Sequence, residues 1–134
     1  MNKQELITVK TDRRGFIDIT KTINSTFPKL PHYGVINIFI KHTSAGICIT
    51  ENTDPDVLSD FDLYLEKLID RNWPYYKHNN EGLDDMPAHI KSGLIGTSLT
   101  VPIVDGELDL GIWQGIFLAE FRDKGSTRTI RAKV

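Results

Sequence analysis

The chain has 134 residues, of which 40% are hydrophobic and 25% charged, a balance that suits one domain with its own apolar core and excludes a disordered or fibrous chain. Sixteen Lys and Arg stand against 18 Asp and Glu, a net charge of -2, and with no basic cluster beyond RTIRAK near the C-terminus a nucleic-acid partner is not expected. No window approaches the ~18 consecutive apolar residues of a spanning helix, and the opening MNKQELITVK reads as neither secretory signal nor membrane anchor, so the expectation is a cytoplasmic protein without a membrane partner.

In chain order, ELITVKT (Glu5 to Thr11) alternates polar and apolar residues, and after DRRG the stretch FIDIT alternates again, which predicts a hairpin. Thr20 is the predicted cap of a short helix through KTINSTF, which stops before Pro28 because the residue preceding proline disfavours helical backbone. GVINIFIKH and GICITEN are the most apolar runs of the first half, predicting two neighbouring buried strands with Cys48 as inert packing in the second. That lone cysteine cannot form an intrachain disulfide, which fits a reducing compartment. From Asp54 the pattern turns helical: Asp54 or Thr53 suits the cap, Pro55 the first position, and Val57, Leu58, Phe61, Leu65, Leu68 and Ile69 recur at three and four, to about Arg71. The loop NWPYYKHNNEGLDD is long for a compact domain, which marks it as functional. MPAHIKSGLIG predicts a second helix ending at Gly96. Three strands follow, SLTVPIV, LDLGIWQGIFLAEF and TRTIRAKV, the first two joined through the hairpin signal Asp105-Gly106. The order ββαββααβββ lacks strict βαβ alternation and predicts a single α+β domain, residues 1–134, with mostly antiparallel sheet.

Three of the four histidines sit where a scaffold can offer a side chain to a ligand: His42 leaves a strand, His78 lies in the long loop, and His89 opens a helix. Carboxylates accompany them, Glu51 and Asp54 beyond the strand after His42, Asp84 and Asp85 between His78 and His89. Imidazole with carboxylate suits a divalent metal or an acid/base pair; zinc, manganese or iron fits this donor set, whereas magnesium would ask for more oxygens. Each histidine alone is equally a structural residue, since no H-E-x-x-H or C-x-x-C spacing is present, and His32, between Pro31 and Tyr33, reads as structural. In HTSAG the small Ser44, Ala45 and Gly46 would let a ligand approach the backbone, with Thr43 and Ser44 offering hydroxyls to phosphate; the same residues also suit a tight strand connection. Lys91 could meet an anion or simply be solvated. Trp113 reads as core and Gln114 as needing a partner, although the pair could also bind a flat heterocycle.

Taken together, HTSAGICITENTDP, H-x5-DDMPAHIKSGLIGTS and VPIVDGELDLGIWQGI closely resemble the signature blocks of the secondary thiamine-phosphate synthase family, the YjbQ-like proteins, from about Gly34 to Arg131. One position departs: Ile112 stands where the family usually has Thr before the Trp-Gln pair, and along an alternating strand it should face away from Trp113. The resemblance implies two packed, mostly antiparallel sheets with two or three helices, assembled as a homotrimer with sites near subunit boundaries. It also implies a pocket in which His42, Glu51, Asp85 and Gln114 are catalytic, Thr43, Ser44, Lys91 and Trp113 bind a small phosphorylated substrate, and His42, His78 and His89 hold a divalent metal such as zinc, manganese or magnesium. Strand GICITEN spans roughly 20 Å, so His42 and Glu51 of one chain meet only if the chain bends or a neighbouring subunit contributes.

Three functions fit these residues. In the first, the chain forms thiamine phosphate, a thiazole phosphate nitrogen displacing pyrophosphate from an aminopyrimidine methyl ester. The second is metal-assisted hydrolysis of a phosphate ester with a histidine or Glu51 as base. A non-catalytic trimer that binds a small anion or a metal is the third.

Overall fold

The computed structural model describes residues 3–134; Met1 and Asn2 of the opening stretch lie outside them. Strands β1 (Gln4–Lys10) and β2 (Gly15–Asp18) lead to helix α1 (Thr20–Thr26), then β3 (Tyr33–Ile40) and β4 (Ala45–Glu51). Helices α2 (Pro55–Leu68) and α3 (Asp85–Ile95) precede β5 (Ser98–Val104), β6 (Glu107–Leu108), β7 (Gln114–Glu120) and β8 (Thr127–Lys133). Every pairing is antiparallel, in a five-stranded sheet of order β1-β8-β3-β5-β6 and a three-stranded sheet of order β2-β7-β4. The expected α+β architecture of two packed antiparallel sheets is therefore present, with three helices.

Alternation explains the layers. Along β3 the residues Ile36, Ile38 and Ile40 point inward and meet Ile47 of β4 and Ile116 and Leu118 of β7, in a core that α1 joins through Ile23. Each such side chain, fully withdrawn from water, stabilises the fold by about 1.5–3 kcal/mol. The other face of β7 carries Ala119, which with Phe121 just beyond it packs under Leu65 and Ile69 of the α2 segment and Ala88 of α3. Because β7 is covered on both faces, GIFLA is apolar without a break and burial runs on through Glu120. Among the described residues no helix is long and apolar enough to cross a membrane.

Four expectations change. β1 and β2 form no hairpin: β1 pairs with β8 and β2 with β7, so DRRG carries the chain from one sheet to the other. β3 and β4 likewise lie in different sheets and meet across the core rather than edge to edge. Thr20 is the first residue of α1 rather than its cap, and its hydroxyl accepts the Ile116 N–H. Finally LDLGIWQGIFLAEF is broken by a turn, leaving Ile112 and Trp113 outside any strand at 83% and 58% exposure, so the alternation argued for Ile112 and the core position read for Trp113 do not hold.

A buried polar knot ties the sheets. Glu120, at the end of β7, accepts from the Thr11 hydroxyl (2.5 Å) and from Arg128 Nε (2.7 Å), with a second bond from Arg128 Nη2. Burial alone would raise the Glu120 carboxyl, but the bonds from Arg128 and Thr11 outweigh it and hold the group below its ordinary range. RTIRAK is thus no surface basic patch, since Arg128, Ile130 and Ala132 face inward. Just past this knot, Gly125 (φ +71°) turns the chain against Thr11, whose carbonyl leaves no room for a Cβ.

Candidate metal centre

Helix α3 starts at Asp85, one residue earlier than the expected Met86, which places Asp85 and His89 one turn apart on a single face. The long loop folds back to bring His78 to the same point. His78 Nε2 lies 2.6 Å from Asp85 Oδ2 and His89 Nε2 3.3 Å from that same oxygen, and the donor atoms of the three residues all fall within 4.8 Å of one another. Asp85 is 1% exposed, His89 half-buried and His78 exposed, so a buried carboxylate sits under two imidazoles open to solvent.

The surrounding bonds fix this arrangement. His89 Nδ1 is 2.7 Å from the Thr43 carbonyl; a carbonyl only accepts, so Nδ1 carries the proton and Nε2 of the neutral ring turns a lone pair toward Asp85. Arg122 spans the loop, donating to Asp85 Oδ1 (2.5 Å), Asp84 Oδ2 (3.0 Å) and the Glu81 carbonyl (3.0 Å). Burial by itself would raise the Asp85 carboxyl, yet the bond from His78 and the charge of Arg122 prevail and keep it below its usual range.

A polar cavity of about 520 Å³ shares with the cluster's surroundings Arg122, which bonds Asp85, and is lined also by Ser44, Glu81, Asp84, Lys124 and Arg128. Lys124 makes no ion pair among the described residues, so it is the cation there with its charge unspent. Neither Arg122 nor Lys124 was expected. The signal available in the sequence was FRDKGS, a basic and acidic pair in a glycine turn directly after an apolar strand.

Other expected residues fall elsewhere. His42 accepts the Thr129 N–H at Nε2 (2.8 Å) and lies outside the three-residue cluster; burial, and then the charge of Arg128, lower its basicity, so it is a neutral acceptor. Lys91, expected to meet phosphate, is 1% exposed and donates to Glu66 of α2, with the Phe121 ring centroid 5.8 Å from Nζ. It cannot reach a ligand without breaking that pair. Around Gly46 it is not a ligand that approaches the backbone but the end of α3: a Cβ there would lie 2.9 Å from the Gly96 carbonyl oxygen and 3.2 Å from Ile95. Ser92 Oγ bonds the Ala45 carbonyl (2.7 Å) and completes the junction that positions His89. Cys48 is free, its thiol pushed up to about 11 by burial.

Glu51 and Gln114 face each other in register at the opposite end of β4. Glu51 Oε2 accepts the Asp54 N–H (3.1 Å), Asp54 caps α2 by accepting from Asp56 N–H, and Gln114 Oε1 accepts the Gly111 N–H (2.7 Å). Within one chain these residues and Trp113 do not join the His78-Asp85-His89 cluster.

The comparisons agree with this architecture. The family described as UPF0047 protein YjbQ-like matches residues 5–134. The UPF0047 protein YjbQ of Salmonella typhimurium is 42% identical over 131 residues, covering 96% of this chain and 94% of the relative. A UPF0047 protein of Synechocystis is 40% identical, covering 95% and 87%. Among solved structures, a conserved hypothetical protein from Thermus thermophilus superposes with a TM-score of 0.85 at 34% identity over 96% of this chain and 97% of that one. A YbjQ-like protein of unknown function from Sulfolobus solfataricus gives 0.85 at 26% identity over 99% and 96%. Thiamine phosphate is no part of what these names say. On the strength of the family match and of relatives at 40% identity along almost their whole length, the chain belongs to the YjbQ-like UPF0047 family.

Proposed function

We propose that this chain binds one divalent transition-metal ion at His78, Asp85 and His89 and acts with it on a small phosphorylated molecule. One observation carries the reading. With the His89 Nδ1 proton committed to Thr43, Nε2 and Asp85 Oδ2 face each other as two acceptors 3.3 Å apart, an arrangement that calls for a cation or an added proton between them. Two imidazoles and a carboxylate form a donor set suited to zinc, manganese or iron, and three protein ligands leave positions for water and substrate.

When bound, such an ion polarises a phosphate oxygen and lowers the pKa of a bound water toward ~7. The chain's own residues do the rest. Thr43 orients His89, Arg122 anchors Asp85 and so holds the carboxylate ionised, and Ser44 and Lys124 border the polar cavity where phosphate oxygens would lie. In hydrolysis a water oxygen bonds to phosphorus as the ester oxygen leaves with a proton. Thiamine phosphate formation, implied by the resemblance, is a different displacement, in which the thiazole nitrogen bonds to the methylene carbon of the aminopyrimidine ester as pyrophosphate leaves that carbon. A homotrimer is the proposed assembly, supported by the outer face of the five-stranded sheet, where Leu6, Val35 and Phe39 are exposed; native mass measurement tests it.

The test of the site is elemental analysis after reconstitution with zinc and with manganese, alongside phosphate release from a panel of phosphomonoesters and product formation from the two thiamine precursors. The expected result is one ion per chain, lost in Asp85→Asn, and turnover that a chelator abolishes. No bound ion in the reconstituted protein would sink the proposal, and a bound ion without turnover on any substrate would leave a binding protein.

A further inference from the structure

The loop between α2 and α3 carries His78, yet little holds its middle. From Asn72 to Leu83 every residue except Tyr76 is exposed. The bonds it makes with its own neighbourhood are local: the Trp73 N–H to the Asp70 carbonyl (3.2 Å), the Asn72 N–H to the Asp70 carboxylate (2.8 Å) and the Asn79 side-chain amide to the Tyr76 carbonyl (3.3 Å). Two spaces, of about 230 and 320 Å³, are lined by loop residues on one side and by the helices on the other, Met86 and Pro87 in the first, Leu68 and Ile90 in the second. A segment with so few buried contacts and so much exposed backbone is among the parts of a fold that open most readily.

Its ties to the rest of the chain lie at its two ends and at His78. At the start, Arg71 donates to both oxygens of Asp123 (2.8 and 3.1 Å) and to Glu66 (2.7 Å). At the end, Asp84 Oδ2 accepts from the Asp123 N–H (2.9 Å) and from Arg122 Nε (3.0 Å), while Arg122 Nη2 donates to the Glu81 carbonyl (3.0 Å). Two adjacent residues of the turn after β7 therefore grip both ends of one loop. Asp123 is itself fixed from the other side by Arg14 (2.9 Å), which Asp62 also holds. Between these ends, the one hydrogen bond that leaves the loop among the described residues joins His78 to Asp85 (2.6 Å).

We propose that Arg122 and Asp123 form a clamp that sets the position of this loop, with Asp123 a positioning residue for His78, and that a metal ion at His78 closes the loop onto the body. Closure by metal rests on the metal-centre reading; the clamp does not. Asp123 makes no hydrogen bond to His78, Asp85 or His89, so it acts on His78 only through the ends of the loop.

The experiment is trypsin cleavage after the exposed Lys77, followed by mass spectrometry in metal-free and zinc-loaded protein, for the wild type, Asp123→Ala, Asp123→Glu and Arg71→Ala. Urea unfolding and calorimetric zinc titration are run on the same samples. The clamp is made of partly exposed ion pairs, so without metal Asp123→Ala and Arg71→Ala are expected to be cut about five- to tenfold faster while the urea midpoint stays near that of the wild type. Saturating zinc should slow wild-type cleavage about tenfold or more, and Asp123→Ala should bind zinc about tenfold more weakly. Asp123→Glu, which keeps the carboxylate, restores most of both. Cleavage at the wild-type rate in Asp123→Ala and Arg71→Ala would overturn the clamp. So would faster cleavage matched by an equal loss of global stability, which would make Asp123 a general support of the fold. Bound zinc that leaves wild-type cleavage unchanged would overturn closure by metal. If no zinc binds while both alanine variants still free the loop, the metal reading falls and the clamp stands.

Discussion

The two ends of strand β4 carry similar residue types and hold them in opposite ways. At the Ala45 end, Asp85 and Glu120 are removed from water, and each is held by groups from other elements: His78 of the long loop and Arg122 around one, Thr11 and Arg128 around the other. At the Glu51 end, each polar group is satisfied within a few residues by a cap or turn, Glu51 by Asp54, Gln114 by Gly111 and Asp54 by Asp56. A carboxylate bonded by its own turn tells only of local folding. One that is buried and fixed by residues 7 and 37 positions away in sequence has been positioned by the whole fold, and that contrast is the reason for placing the chemistry at the first end.

The contrast is most easily broken at Glu120. Removing one partner of a buried ion pair leaves the other uncompensated, so Glu120→Ala should lower stability by about 3–5 kcal/mol, or fail to fold, by denaturant titration. A loss under 1 kcal/mol would mean that Arg128 finds water and that this end is less closed than it looks. Next in size is Asp85→Asn, expected to weaken zinc binding about a hundredfold or more while the fold persists. Zinc at a hundred times its Kd should stabilise the wild type by about 2.7 kcal/mol and the variant hardly at all, as thermal unfolding with and without metal would show.

Gly46→Ala tests the same end from the backbone side. The added methyl meets the Gly96 carbonyl and Ile95, which must shift; a loss of about 1–3 kcal/mol is expected, and zinc affinity falls with it because α3 carries His89. Unchanged zinc affinity would separate the helix junction from the metal centre. A pH titration is gentler. His42 is neutral in the fold and its basicity lies below the ordinary 6.5, so its contribution is complete above that pH and is lost as pH falls from 6.5 through the lowered value. Stability by urea unfolding should decline over that range in the wild type and decline less in His42→Gln, whose amide oxygen can still accept from Thr129.

How much of this was legible in the sequence follows from the range of the interactions. Helix α2 was readable because its signals are local: Asp54 as cap, Pro55 first, and an apolar stripe at three and four. The β1-β2 hairpin failed because alternation fixes which face a residue takes but not which strand lies beside it; DRRG looks like a tight turn and serves as a crossover. Asp85 and His89 at i and i+4 were a readable metal signal, obscured by starting the helix at Met86. Lys91 could not be read, since its partner Glu66 lies 25 positions earlier and only the packing of α3 on α2 brings them together. Trp113 was misplaced for a related reason: an aromatic in an apolar run resembles core until the turn at Ile112-Trp113 is seen.

The smallest expected effect is the most discriminating. Trp113→Ala removes a side chain that is 58% exposed, so within a single chain it should change stability by no more than about 0.5 kcal/mol and leave zinc binding as it was. The separation of the two ends of β4 then holds in the assembled protein too. If instead Trp113→Ala weakens ligand binding with the fold intact, either a neighbouring copy carries its Glu51 end to this chain's Ala45 end or β4 bends. Repeating the titration across a dilution series decides between these. A Trp113 effect that fades as the assembly dissociates would make the site a property of the oligomer, while one that persists in the monomer would require β4 to bend.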